Sequence, residues 1–294
     1  MSRNRLIMLK LYSPIILALL AVSSAAVMIK WCDAPPLTIA AYRILIASMV
    51  LVFWNLITGN KFWKGVAAKD LLISMLSGVF LAIHFGAWIT SLKMTSVTNS
   101  TVLVATSPFW VALASRFIFK KEIKNMLIFA FLIAFVGILC MTFINSAESS
   151  APNSSFGDFL ALVGAWGAGG YIICGRFVRK RVETLSYITF VYSFCGILLL
   201  SVVIFLDEQF RGFSNETYAL LLLIALIPQL IGHSTFNWAL KYLSAPLVST
   251  LLLGEPVFAS ILAFFVLHES PGFAQIIGGI LVVVGVAGAI WSEK

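Results

Sequence analysis

Residues 251–260 read LLLGEPVFAS, from Leu251 to Ser260, and set Glu255 beside Pro256 inside an apolar run, 244–267, long enough to cross a bilayer. An ionisable side chain at that depth is costly in lipid, so it is expected to face a bundle interior or a watered cavity. Proline has no N–H and crowds the carbonyl four residues back, here that of Leu252, which predicts a freed polar backbone group in mid-membrane. A carboxylate, a kink and a free carbonyl are thus expected at one level. The chain makes an equivalent stretch once before, around Ser107 and Pro108.

Working outward, charged residues are 11% of the 294-residue chain and hydrophobic residues 61%, against about 25% and 45–50% in soluble domains. A soluble fold of this length could not bury so much apolar surface, so the sequence predicts an all-α, polytopic membrane protein whose first partner is the lipid bilayer. The net charge of +8 comes with no basic helix face and no basic tail, which argues against nucleic acid. Cys32, Cys140, Cys174 and Cys195 have no ligand-like spacing and read as buried packing. Arg3, Arg5 and Lys10 precede an apolar run, 11–29, that exceeds the h-region of a signal peptide and is read as the first spanning helix.

Ten runs reach the roughly 20 residues a spanning helix needs: 11–31, 37–57, 71–91, 97–118, 126–144, 156–175, 185–206, 217–240, 244–267 and 273–291. The connectors are short and carry turn or cap residues, such as Ala34-Pro35-Pro36, Ser214-Asn215 and Ser270-Pro271-Gly272. No connector can hold a soluble domain, so any site lies in the membrane. Of the 20 Lys and Arg, Lys30, Lys93 and Arg211 fall on one side and Arg43 within a helix. The remaining sixteen fall on the other side, which predicts a multi-pass protein of a cell membrane, read as a bacterial inner membrane, with both termini cytoplasmic. Trp31, Trp54, Trp63 and Trp291 fall at predicted membrane edges as interfacial anchors. The sequons at Asn153 and Asn215 sit at helix starts and are explained as caps.

A shift of 148 positions superposes Leu92-Lys93 on Leu240-Lys241, Pro108 on Pro256 and Val136-Gly137 on Val284-Gly285. Each half, 1–148 and 149–294, then holds five spanning helices. An odd number forces the second copy into the membrane upside down, the inverted-repeat architecture of secondary transporters.

The pattern SLKMTSVTNSTVLVATSPFWVAL before Lys121-Glu122, with its echo ALKYLSAPLVSTLLLGEPVFASILAFFVLHE, resembles the paired EamA-type repeats of the drug/metabolite transporter superfamily. The resemblance covers essentially the whole chain. It implies ten helices with both ends inside and a carrier of amino acids, metabolites, nucleotide-linked compounds or drugs, often moved outward, and the expected cargo is a small organic solute, an amino acid or related metabolite. No catalytic residue, metal or cofactor is expected from the residue spacings. The second copy departs from the first by one residue between its proline and Glu269.

Two stripes at helical spacing carry one histidine each: Ser77, Leu81, His84, Trp88 and Ser91, and Gln229, His233, Asn237 and Lys241. They read either as walls of a shared cavity or as neutral histidines bonded between helices. Glu255 reads as a solute contact, as a proton-exchanging group that couples transport to protons, or as a fixed partner of a cation such as Arg43. Its counterpart by the repeat is Ser107, so the charge belongs to one side only. Arg43 either snorkels outward, captures a substrate anion or pairs with Glu255. Asn99, Ser107, Trp110, Trp166 and Tyr171 are further candidates for the cavity, and Pro108 and Pro256 for the bends that gate it. Glycines in Gly164 to Gly170 read as close helix packing rather than a phosphate loop. An intramembrane enzyme using Glu255 with a histidine, or a channel, are the other readings. The sequence shows no His-Glu-x-x-His spacing and no serine–histidine or paired-aspartate arrangement. It is silent on oligomeric state.

Overall fold

The computed structural model describes residues 3–95, 97–120, 122–143, 154–267 and 271–292. Among them every regular element is helical. In chain order these are α1 (Arg3–Trp31), α2 (Pro36–Ile57), α3 (Ala68–Met94), α4 (Val97–Val104), α5 (Ser107–Phe119), α6 (Asn125–Phe143), α7 (Ser154–Val178), α8 (Thr184–Phe205) and α9 (Asn215–Ile224). A π-helical segment, Ala225–His233, joins α9 to α10 (Ser234–Ala239). Then come α11 (Ala245–Leu251), a 3-10 turn at Leu252–Gly254, α12 (Glu255–Leu267) and α13 (Phe273–Ser292). Nine of these stretches are long and apolar enough to span a membrane among the described residues, and Asn125–Met141 is a shorter apolar helix. The protein is a polytopic helical membrane protein.

Local chemistry sets the helix starts. Pro36 opens α2 in the first turn, where its missing N–H is no loss. The Ser214 and Ser244 hydroxyls accept from the backbone N–H groups of Thr217 (3.2 Å) and Leu247 (3.3 Å), satisfying donors that the first turns of α9 and α11 leave open. Asn153, Lys121, His268 and Glu269 lie outside the described residues.

Hydrogen bonds sort the loops into two ends. At one end, Arg181 forks onto Asp70, Lys124 donates to the Ser292 carbonyl, and Arg176 donates to that of Leu240. At the other, Thr38 donates to the Gln209 carbonyl, Tyr42 to that of Phe210, and Thr95 to the Asp158 carboxylate. Trp31, Trp54, Trp63 and Trp291 all lie exposed at or just beyond helix ends.

The register of the repeat is visible in the elements. Helices begin 148 residues apart at positions 36 and 184, 97 and 245, 107 and 255, and 125 and 273. The packing pairs follow suit: α2 lies on α8, α6 on α13, and the α3–α7 contact is echoed by α1 on the π segment. Similarly, α5 packs on α7 as α12 packs on α1. At the α6–α13 crossing a Cβ on Gly137 would lie 2.6 Å from the Gly278 carbonyl, and one on Gly285 2.6 Å from that of Ala130. Only glycine lets the backbones approach so closely.

Candidate functional site

Both stretches with a central proline are broken. The first is interrupted between Val104 and Ser107 and the second at the 3-10 turn, so that Ser107 and Glu255 each begin a new helix. Pro108 and Pro256 therefore occupy first turns, not helix interiors, and the expected free carbonyl is absent: the Leu252 carbonyl accepts the Glu255 N–H through the tighter turn. The Glu255 carbonyl in turn accepts from the Ser23 hydroxyl at 2.9 Å, tying the break to α1.

A cavity of about 250 Å³ opens at these breaks. Ser107, Glu255 and Pro256 line it from the two broken stretches, His84 and Trp88 from α3, and Tyr171 from α7. His233 and Asn237 reach it from the π segment and α10, Arg43 from α2, and Val22 and Ala25 from α1. The structure thus gathers most of the expected residues. It does not gather all of them: Trp166 is 47% exposed on the outer face of α7, edge-on to Phe80. The side chain of Asn99 lies outside the described residues. Pro108 is buried in α5 without lining the cavity, and Trp110 keeps a buried indole N–H without a partner.

His84 lines the cavity and also bonds a neighbouring helix. Its Nδ1 lies 2.9 Å from the Gly164 carbonyl, and since a carbonyl only accepts, Nδ1 carries the proton. The imidazole also stacks parallel to Trp88 on the cavity wall. The glycines of α7 permit this approach, because a Cβ on Gly167 would sit 2.8 Å from the His84 backbone nitrogen. His233 contacts the rings of Phe85 and Tyr171. It is not the strict repeat partner of His84, because position 232 is a glycine packed on Val22, one residue out of register. Asn237 donates to the Tyr171 hydroxyl and to the His233 carbonyl, leaving its own buried Oδ1 without a donor.

Arg43 does not snorkel. It is 1% exposed, its Nε donates to Gln229 Oε1 at 2.8 Å, and its guanidinium carbon lies 4.1 Å from the centre of the Phe85 ring. Arg43 and Glu255 line the same cavity without an ion pair within 4.0 Å, and the Arg43 NH1 group is buried without an acceptor. The Gln229 side-chain nitrogen is likewise without a partner. Gln229 reaches Arg43 from the nine-residue π segment around Pro228, a rare geometry that is frequent at functional sites. Sequence periodicity placed Gln229 on the right helix but missed the arginine contact, the Phe85 ring and the contribution of α1. A proline four residues inside the π segment was the available signal.

The model of the EamA-like transporter family matches the chain twice, at residues 10–143 and 155–291. An uncharacterised transporter of Archaeoglobus fulgidus is 27% identical over 264 residues, covering 85% of this chain and 86% of that one. The uncharacterised transporter YetK of Bacillus subtilis is 25% identical over 258 residues, covering 82% of this chain and 76% of the relative. A crystal structure of a protein 18% identical shares the fold with a TM-score of 0.78, over 95% of this chain and 98% of that one. The paired match over nearly the whole length, on a helical bundle with a polar cavity at two helix breaks, makes this chain a membrane transporter belonging to the EamA-like transporter family.

Proposed function

We propose that the protein is a secondary carrier that moves a small organic solute, an amino acid or related metabolite, outward across a bacterial inner membrane. It does so by rocking residues 1–148 against residues 149–294. The observation that carries this reading is that a guanidinium and a carboxylate, Arg43 and Glu255, line one cavity without an ion pair within 4.0 Å. A solute with an anionic and a cationic or hydrogen-bonding end matches both groups, and the rings of Trp88 and Tyr171 contact its apolar part. His84, Ser107, His233 and Asn237 supply neutral hydrogen-bonding groups. The breaks before Pro108 and Pro256 are the gates, because a helix interrupted there can pivot one half-segment without unwinding the other. The carrier takes no metal or cofactor, and protons are the coupling ion through Glu255. The basic loops face the cytoplasm and both termini lie there.

The test is counterflow in proteoliposomes loaded with a mixed metabolite extract, with and without a proton gradient. A saturable exchange of one solute class is expected. Glu255→Gln is expected to abolish the gradient response, and Pro256→Ala to slow exchange about tenfold, about 1.4 kcal/mol in barrier. Flux that neither saturates nor exchanges would replace the carrier with a channel, and chemical conversion of a solute would replace it with an enzyme.

A further inference from the structure

A second pocket, of about 280 Å³, lies at the end of the bundle that carries the Arg181–Asp70 pair and shares no lining residue with the central cavity. Its lining carries three cationic side chains, Lys124, Arg176 and Lys180, and one carboxylate, Glu122. Apolar walls come from Phe119, Ile123 and Leu127. Two features distinguish it from a solvated basic surface. The Ser115 side chain, in a residue 4% exposed, lines it and has no hydrogen-bond partner, a cost to the fold that a ligand would relieve. Two of the cations, one from each half of the chain, are also held in place by backbone carbonyls of the second half. Lys124 is anchored to the Ser292 carbonyl at 2.5 Å and Arg176 to that of Leu240 at 2.6 Å.

We infer that this pocket binds the phosphate ester of an anionic ligand, with Lys124 and Ser115 as direct contacts and Arg176 and Lys180 closing the positive wall. A phosphate oxygen accepts from the lysine and from the serine hydroxyl, and the apolar wall receives the ester's organic part. The chemistry is common to a phospholipid headgroup and to a soluble phosphate ester. Because the wall is built from α5 and α6 on one side and α7, α11 and α13 on the other, an occupant bridges the two halves.

The experiment follows thermal unfolding of the purified full-length protein in detergent while phosphatidylglycerol, phosphatidylcholine or inorganic phosphate is added. Stabilisation by phosphatidylglycerol alone assigns the site to a lipid headgroup. Stabilisation by inorganic phosphate, also in phosphatidylcholine nanodiscs, assigns it to a soluble ester. In either case Lys124→Gln and Ser115→Ala each weaken apparent affinity about tenfold. Lys61→Gln with Lys64→Gln, exposed basic residues at the same end but outside the pocket, leaves it unchanged. Ser115→Ala removes only an unbonded hydroxyl, so it reports on the ligand even where a lysine variant folds poorly. Equal stabilisation by all three additives, or an equal loss from the Lys61 and Lys64 substitutions, overturns the proposal.

Discussion

Arg43 costs the fold more than its visible contacts return. One guanidinium nitrogen has an acceptor, another is buried without one, and no carboxylate lies within ion-pair distance. A buried charge so poorly matched is often replaced by an apolar side chain of similar volume without loss of stability. Arg43→Met is therefore expected to leave the unfolding temperature unchanged or higher while solute counterflow falls at least about tenfold. A variant that unfolds earlier yet still exchanges solute would make Arg43 a structural residue. The presence of Arg43 inside a helix was legible in the sequence, but its partner was not. Gln229 reaches it from a π segment, where the angular step per residue departs from the 3.6 period that the stripe of Gln229, His233 and Asn237 assumed. The same departure explains why His84 and His233 share a cavity although they are one residue out of strict register.

At the level of helices, the breaks and the glycine crossings carry the architecture. The shared proline of the two halves pointed to both breaks, because proline and a one-residue-exact repeat survive in the sequence. What it could not show was that the chain would tighten into a 3-10 turn and re-bond the Leu252 carbonyl, since that choice depends on α1 packing against the turn through Ser23. Trp166 was misassigned for a related reason: its neighbours Gly164 and Gly167 face α3, which turns the indole between them outward. Among the described glycines, those of the α6–α13 crossing come closest to an opposing backbone. Gly285→Val would drive a side chain into the Ala130 carbonyl, whose backbone cannot yield. Overpacking of this kind costs about 1–3 kcal/mol, so the variant is expected to unfold at a lower temperature in detergent, whereas Gly288→Ala, with 3.4 Å of clearance, is expected to behave as the parent protein.

Across the whole molecule, the ten-run reading and the pairing of loops at each end agree, since the hydrogen bonds gather Asp70 with Arg181 and Lys124 with Ser292 as alternate connections require. Which end faces the cytoplasm rests on the basic residues, and labelling tests it. In intact cells a membrane-impermeant maleimide is expected to modify a cysteine placed at Glu208 and to spare one placed at Lys61, with Cys32, Cys174 and Cys195 protected by burial. The reverse pattern would invert the topology. The two halves agree in helix starts, in packing partners and in the glycines of their crossing, yet they differ where the cavity is polar: Ser107 answers to Glu255, and Val191 stands 148 residues on from Arg43. Two identical halves would give end states that are mirror copies of equal free energy, with neither side of the membrane preferred. On the carrier reading proposed above, the carboxylate and the guanidinium of the cavity, set in different copies, remove that degeneracy together with the π segment that, among the described residues, only the second half carries, so the resting bias is written at the cavity rather than in the shared frame of the repeats.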